Sequence, residues 1–296
     1  MPTTTVNGVR LSYTLTGDSG PPIVLVHGSW ADQSDWELLV STLAEHFRVL
    51  TYERRGHSQS ECPPGQGSVE EDAADLAALI EHLNLAPAHI VGLSLGGSIV
   101  LRLAARRPDL IRSLSVQEPP LLDLLADDPG QEPEMRKVLD QVSAVVARLD
   151  AGDAEGGAHQ FIEAILGPGA WDYLPPKQQQ ILISNAPTFL DETRDPEAFT
   201  VDLAALATCP RPALLTYGDQ SPSWFVPIVA KLATVLPRVE TRVFAGAGHL
   251  PMVTHPAEYA AAVMAHADAA DAELGTTVPP PDRLERPVGA DSATPV

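Results

Sequence analysis

The 296-residue sequence has few cysteines and few basic residues, and both shortages exclude classes of protein. Only Cys62 and Cys209 are present, and neither belongs to a CxxC or Cys/His pattern. Disulfide-stapled and zinc-bound folds are therefore excluded, and the two thiols are typical of a reduced intracellular protein. Lys and Arg number 19 against 39 Asp and Glu, a formal net charge of −20. Nucleic acid and anionic membranes would repel such a charge, so neither is expected as a partner.

The sequence also lacks an apolar run of transmembrane length. Its first residues, Met1-Pro2-Thr3-Thr4-Thr5, have neither the basic n-region nor the apolar h-region of a secretion signal. We therefore predict a cytoplasmic protein. Hydrophobic residues still make up 44% of the chain, enough to bury a large core that needs neither a disulfide nor a metal to hold it.

One segment in the first third of the chain carries a pattern for nucleophilic catalysis. A β-branched run that starts at Ile90 ends in Gly92-Leu93-Ser94-Leu95-Gly96, and a helix-period stretch follows at once. Strand, sharp turn and helix are the context in which Gly-x-Ser-x-Gly forms a nucleophile elbow. The glycines have no Cβ, so strand and helix can close around a strained Ser94 and leave its hydroxyl exposed. The alternative is a glycine-rich strand-to-helix turn of another α/β protein.

Two further segments favour the nucleophile elbow. The strand-like run Ile23-Val24-Leu25-Val26 ends at His27-Gly28-Ser29-Trp30, and Val239–Phe244 alternates like a strand before Gly248-His249-Leu250. With Ser94, these segments resemble the α/β-hydrolase family, whose catalytic residues follow the chain order Ser, acid, His. The resemblance covers about residues 6 to 270.

The resemblance implies an α/β-hydrolase fold, a mostly parallel sheet with helices on both faces and a helical lid inserted after the sixth strand. Helices are predicted at about 69–84 and 95–107, between strands in a βαβ alternation. The strands are predicted at about 6–16, 22–27, 47–52, 88–93, 112–117, 212–217 and 239–244. The predicted organisation is core 1–119, helical lid 120–207, core 208–274 and a disordered Pro-rich tail 275–296.

His249 is the predicted general base. A serine hydroxyl is a poor nucleophile at neutral pH, and His249 follows a late strand on a glycine-flanked loop. By match to the family motif, the backbone N–H groups of Ser29 and Leu95 form the oxyanion hole. Trp30 lies next to it and is a predicted pocket residue. Arg54, in a segment similar to the family's Asp-x-Arg-Gly loop, is predicted to hold a turn by hydrogen bonds.

The acid of the triad remains open between two carboxylates. Most family members carry it three residues after the glycine that ends the seventh strand, where this chain has Ser221. A serine cannot supply the negative charge that stabilises an imidazolium. Glu118 stands at the end of the predicted sixth strand, a place that haloalkane dehalogenases and some polyketide-releasing thioesterases use for their acid. We therefore favour Glu118, with Asp219 as the alternative and Asp123 third.

The serine at the nucleophile position argues against the alkyl-enzyme chemistry of dehalogenases and epoxide hydrolases, which use aspartate there. We predict cofactor-free and metal-free hydrolysis of a carboxylic ester, lactone or thioester of a small to medium apolar substrate, through an acyl-serine. The alternatives are a perhydrolase of the haloperoxidase type, or a C–C bond hydrolase or lyase, on the same triad. A non-catalytic ligand receptor is a third and less favoured hypothesis.

The predicted lid contains the apolar residues expected to line a substrate pocket. Leu121, Phe161 and Trp171 are predicted to do so with Trp30, although packing of the lid on itself is the simpler explanation for any one of them. The lid region 120–207 contains sixteen Asp and Glu against five Lys and Arg. An acidic acyl carrier protein would be repelled by this surface, so the predicted partner is a small molecule. The oligomeric state is open.

Overall fold

The computed structural model describes residues 1–275 of the chain. Its centre is an eight-stranded sheet with the strand order β1-β2-β4-β3-β5-β6-β7-β8. The strands are β1 (Thr3–Val6), β2 (Val9–Thr16), β3 (Pro22–Val26), β4 (Arg48–Tyr52), β5 (Ala88–Leu93), β6 (Ile111–Gln117), β7 (Ala213–Gly218) and β8 (Val239–Phe244). β1 and β2 pair antiparallel to their neighbours, and every pair from β4 to β8 is parallel. The mostly parallel sheet predicted from the sequence is therefore confirmed.

The first predicted strand, 6–16, is wrong as a single element, because the chain turns back on itself at Asn7-Gly8. Both residues have positive φ, 48° for Asn7 and 79° for Gly8. Two central residues with positive φ are typical of the type I′ turn of a two-residue hairpin, and Asn-Gly is its preferred sequence. The hairpin turn could therefore have been predicted from the sequence.

Helices cover both faces of the sheet, as parallel strands require. They are α1 (Glu37–Leu43), α2 (Val69–His82), α3 (Leu95–Arg106), α4 (Glu132–Asp150), α5 (Ala154–Leu166), α6 (Ala170–Tyr173), α7 (Pro176–Arg194), α8 (Leu203–Leu206), α9 (Phe225–Val235), α10 (Pro251–Thr254) and α11 (Pro256–Gly275). Short 3₁₀ helices span Gln33–Trp36, Pro108–Leu110 and Leu122–Leu125. No helix within residues 1–275 combines the length and the apolar character needed to cross a bilayer.

Alternation along β3 divides the core between the two faces. Val24 and Val26 pack in a cluster with α2, α3 and α9, whereas Ile23 and Leu25 pack with α1 and α11. Side chains of a strand point alternately to opposite faces, so one fully buried strand contributes to both clusters. This burial fixes the carboxyl ends of β3, β5 and β6, where the chain leaves the sheet toward the site.

The chain between β6 and β7 is helical throughout its regular structure, from the 3₁₀ helix Leu122–Leu125 through α4 to α8. We call this segment, residues 120–207, the helical insertion. Helices α4, α5 and α7 pack on one another around a separate apolar cluster that includes Val145, Ile162 and Phe189. Beyond Gly275, where α11 ends, the predicted tail lies outside the described residues.

Candidate active site

Ser94 occupies the sharp turn between β5 and α3, with φ 52° and ψ −123°. A non-glycine residue with positive φ is strained, and such strain persists only where the surroundings hold it. The two glycines beside it allow the close approach. A Cβ on Gly92 would lie 2.5 Å from the Gly96 carbonyl oxygen, and one on Gly96 would collide with the Val26 carbonyl. The tight turn thus brings the half-buried Ser94 to the carboxyl edge of the sheet.

Glu118 and His249 form a buried acid–base pair beside this turn. Glu118 follows β6 directly, has a positive φ of 44° and is fully buried. Its Oε2 lies 2.5 Å from Nδ1 of His249, and its Oε1 accepts a 2.8 Å hydrogen bond from the N–H of Gly218. The His249 ring stacks on Phe225, with centroids 4.9 Å apart. Both carboxylate oxygens of Glu118 are therefore bound, and Phe225 covers one face of the His249 ring.

The other candidate acids lie elsewhere. Asp219 is exposed, and its Oδ1 accepts hydrogen bonds from the N–H of Gly246 at 2.7 Å and from Gln220 at 3.1 Å. Asp123 is exposed on the 3₁₀ helix Leu122–Leu125. At the family's usual acid position, the Oγ of Ser221 is buried without a hydrogen-bond partner. Of the candidates, Glu118 alone contacts the His249 ring.

The predicted oxyanion donors lie on either side of the nucleophile. Gly28 packs closely against the turn, since a Cβ there would lie 3.1 Å from the Cβ of Ser94. Ser29, the next residue, lines the cavity. Leu95 is the first residue of α3, so its N–H has no partner within the helix. The helix dipole adds positive potential at that end.

A cavity of about 340 Å³ opens over these residues and is lined by Ser94, His249 and Ser29. Helices α5 and α7 of the helical insertion form the opposite wall. The apolar lining residues are Ala31, Leu38, Leu93, Phe161, Ile162, Ile165, Leu166, Leu174, Pro175, Leu182, Leu250 and Val253. The volume lies within the usual range of small-molecule sites, about 300–1,000 Å³.

The polar part of the cavity wall carries carboxylates and no cation. Ser34, Asp35, Glu37 and Gln178 line it, and none of the described lining residues is Lys or Arg. Burial, with the neighbouring Asp32 adding to it, raises the pKa of Asp35 to about 7. Within residues 1–275, no three His, Cys, Asp or Glu side chains are grouped to hold a metal ion.

The structure separates the four predicted pocket residues. Phe161 lines the cavity, but Trp30, Leu121 and Trp171 are absent from its wall. Trp30 is fully buried, with its ring centroid 5.2 Å from that of Phe161. Leu121 is buried in the main core, and Trp171 packs inside the helical insertion against His159.

The physical reason is that apolar composition identifies buried residues without telling which of them border empty space. The lining residues that sequence reasoning missed include Ile162 and Leu166 of α5. Together with Phe161 they follow the helical spacing of one face, which was the available signal.

A buried arginine connects the site to its surroundings. Arg54 forms ion pairs with Asp72 of α2 at 3.0 Å and with Glu192 of α7 at 2.7 Å. Its guanidinium also donates to the Gly28 carbonyl oxygen at 3.1 Å. The two carboxylates raise the pKa of Arg54 against the opposing effect of burial, so the charge is retained.

Comparison with known proteins agrees with this architecture. A model of the alpha/beta hydrolase family matches residues 23–262. The uncharacterized hydrolase YraK of Bacillus subtilis is 37% identical over 122 residues, 40% of this chain and 45% of that protein. The chain covers less than half the length of each curated relative first matched.

Two solved structures are similar over nearly the whole chain. The enol-lactonase of Burkholderia xenovorans LB400 has a TM-score of 0.71 at 20% identity, over 90% of this chain and 99% of that chain. A malate-bound thermophilic esterase of Thermogutta terrifontis has a TM-score of 0.71 at 24% identity, over 90% and 97%. At these identities the similarity shows the fold alone. Because the family model covers most of the sequence, the chain belongs to the alpha/beta hydrolase family.

Proposed function

We propose that the protein is a serine hydrolase that cleaves a carboxylic ester, lactone or thioester of a small to medium apolar acid. In this proposal Ser94 is the nucleophile, His249 the general base and Glu118 the acid. The observation that carries it is the buried 2.5 Å contact between Glu118 and the Nδ1 of His249, at the edge of a cavity that Ser94 also lines.

The acid–base pair supports a definite sequence of proton transfers. With Nδ1 directed at Glu118, the Nε2 of His249 is the nitrogen that takes the proton of Ser94 as its Oγ attacks the carbonyl carbon. The carboxylate of Glu118 stabilises the imidazolium formed, and the N–H groups of Ser29 and Leu95 stabilise the oxyanion. The imidazolium then protonates the leaving group. A water molecule, activated by the same Nε2, hydrolyses the acyl-serine.

The cavity wall supports a neutral, apolar acyl group. Most of its lining is aliphatic or aromatic, and Asp35 and Glu37 would repel a carboxylate on the substrate above about pH 7, where Asp35 is mostly ionised. The helical insertion closes this cavity with α5 and α7, which supports its proposed role as a lid. A small molecule is the proposed partner.

The nucleophile is tested with a fluorophosphonate probe and a series of p-nitrophenyl esters of graded acyl length. Ser94→Ala is expected to abolish labelling and to lower kcat by about 10⁶-fold, since members of a cooperative triad act together. Ser98→Ala is the matched control, a buried serine one turn further along α3. It should keep both labelling and turnover. More than a few per cent of activity in purified Ser94→Ala would reject the acyl-serine mechanism.

The acyl preference is tested with two p-nitrophenyl esters of similar length, the neutral butyrate and the anionic hemisuccinate. We expect kcat/KM for the butyrate to be higher by at least about tenfold, the effect of about 1.4 kcal/mol of repulsion. In assays well above pH 7, where Asp35 is ionised, Asp35→Asn should narrow this ratio because it removes a carboxylate from the wall. Equal rates on the two esters, or a ratio unchanged in the variant, would contradict the predicted charge selection.

A further inference from the structure

One face of helix α7 holds the loop that contains Ser29. Asn185, Thr188, Phe189 and Glu192 have the i, i+3, i+4, i+7 spacing of a single helix face, and all four are buried. The chain segments that this face contacts are residues 28–31, the loop after β3, and 54–58, the loop after β4. We call residues 28–31 the oxyanion loop.

Asn185 is the centre of these contacts and is 1% exposed. Its Nδ2 donates to the carbonyl oxygens of Trp30 at 3.0 Å and Ala31 at 2.9 Å, and its Oδ1 accepts from the N–H of Ser58 at 2.8 Å. A backbone N–H can only donate, so the amide oxygen must face Ser58 and the amide nitrogen the two carbonyls. The side chain therefore has one orientation and binds three backbone groups, two of them buried and one partly buried.

The oxyanion loop needs such support because Trp30 has a φ of 66°. A bulky residue in the left-handed region costs about 1–2 kcal/mol relative to the right-handed one. The hydrogen bond from Asn185 to the Trp30 carbonyl opposes relaxation of that residue. The Phe189 ring, with its centroid 5.0 Å from that of Trp30, blocks movement of the side chain.

The peptide unit between Gly28 and Ser29 is fixed from the other side. The Gly28 oxygen accepts from the guanidinium of Arg54, which Glu192 of α7 holds at 2.7 Å. Nδ1 of His27 lies 2.9 Å from the same oxygen. The C=O and N–H of a trans peptide point in opposite directions, so donors on the Gly28 oxygen turn the Ser29 N–H the other way.

The tautomer of His27 supports this arrangement. Its Nε2 accepts a 3.0 Å hydrogen bond from the N–H of Arg54, so the proton of a neutral ring must be on Nδ1, facing the Gly28 carbonyl. Burial, and next the charge of Arg54, hold the pKa of His27 well below its usual value. The ring is therefore neutral and donates to the Gly28 oxygen.

We propose that helix α7 sets the geometry of the oxyanion hole, with Asn185 and Glu192 as positioning residues. Asn185 fixes the carbonyls of Trp30 and Ala31, and Glu192 acts through Arg54 on the Gly28 carbonyl. The two anchors lie on either side of the Ser29 N–H. This inference rests on the proposed function, because the direction of that N–H matters only where an oxyanion forms. The helical insertion is then part of the catalytic framework as well as a cover.

The test is Asn185→Asp, which keeps the shape and the acceptor for Ser58 but places an oxygen against two carbonyl oxygens. We expect kcat on p-nitrophenyl butyrate to fall about tenfold to hundredfold, below the loss for removing an oxyanion donor outright, with KM changed less than about threefold. The rate constant for phosphonylation of Ser94 by a fluorophosphonate should fall by a similar factor, because its phosphoryl oxygen occupies the same hole.

Gln180→Ala is the control, since Gln180 lies on α7 but is exposed, and its side chain has one hydrogen bond within residues 1–275, to Ser184. It should behave as the wild type. Titration of active sites with the fluorophosphonate counts the folded molecules, so a partly unfolded variant still yields a rate constant. Asn185→Ala, which lacks the repulsive oxygen, is the second variant and should be impaired in the same two rates.

Two results would overturn the inference. One is wild-type kcat and phosphonylation rate per titrated site in both Asn185 variants, which would reduce Asn185 to a folding role. The other is a rise in KM without a loss of kcat, which would assign it to substrate binding. If the wild type itself is not labelled at Ser94, the proposed function fails and takes this inference with it.

Discussion

Two neighbouring loops at the carboxyl edge of the sheet each carry a carboxylate, and they differ in every property that a triad acid requires. Glu118, after β6, is fully buried with both oxygens bound, one to His249 and one to the N–H of Gly218. Asp219, after β7, is exposed and accepts a hydrogen bond from the N–H of Gly246, which lies in the loop after β8. The two lie close in the fold, since β6 and β7 are adjacent strands.

The difference shows that position in the sheet is not enough to assign an acid. A carboxylate in water is screened, whereas a buried one at 2.5 Å from an imidazole interacts strongly with its charged form. Glu118 reaches the ring because its backbone takes a positive φ immediately after the strand. Asp219 is exposed one residue after β7, and its Oδ1 binds the N–H of Gly246 instead of a ring nitrogen of His249.

The largest effect on kcat is expected when Glu118 loses its negative charge. Glu118→Gln keeps the shape and the hydrogen-bonding reach but removes the negative charge, so kcat should fall by about 10³ to 10⁴. Steady-state rates on p-nitrophenyl butyrate, with active sites counted by slow fluorophosphonate labelling, measure it. A loss below about tenfold would mean that Glu118 is not the acid.

The second prediction sharpens the comparison by moving the acid from one loop to the other. Ser221 stands at the family's usual acid position, and its buried Oγ has no partner. Glu118→Gln/Ser221→Asp should therefore recover about tenfold to hundredfold of the activity that Glu118→Gln loses, since a carboxylate at this position is the family's usual partner of the catalytic histidine. Ser223→Asp, on the exposed part of the same loop, is the control and should recover nothing.

The smallest effect is expected at Asp219. Asp219→Asn should lower kcat by about tenfold or less, because an exposed carboxylate acts only through a screened field. Asp219→Ala removes the acceptor for the Gly246 N–H and should lower the free energy of unfolding by about 0.5–1.5 kcal/mol in urea denaturation. A loss of kcat as large as that of Glu118→Gln would reverse the assignment of the two loops.

The sequence allowed the elements around the site to be predicted because their residues carry local signals. Gly92 and Gly96 mark two positions of the turn where a Cβ would collide with the backbone. The absence of a carboxylate at Ser221 favoured Glu118 as the acid. The strand at 88–93 was predicted without error in its bounds. The hairpin at Asn7-Gly8 was missed although its turn sequence was present.

Other features depend on contacts between segments far apart in the chain. Asn185 meets Trp30 across 155 positions, and no local pattern tells which face of α7 turns toward a loop of the core. The same limit explains why Leu121 and Trp171, predicted as pocket residues, are absent from the cavity wall. Both are buried as their hydrophobicity indicates, but the empty space lies beside other residues.

The cavity wall described above has a consequence for the end of the catalytic cycle. Under the proposed function, hydrolysis of a neutral ester would turn the occupant of the cavity into an anion, with Asp35 and Glu37 and no Lys or Arg among the described lining residues. Above about pH 7, where Asp35 is mostly ionised, this wall would repel the acid formed but not the neutral ester. The repulsion would favour release of the product, so the proposed hydrolase would be weakly inhibited by the acid that it makes.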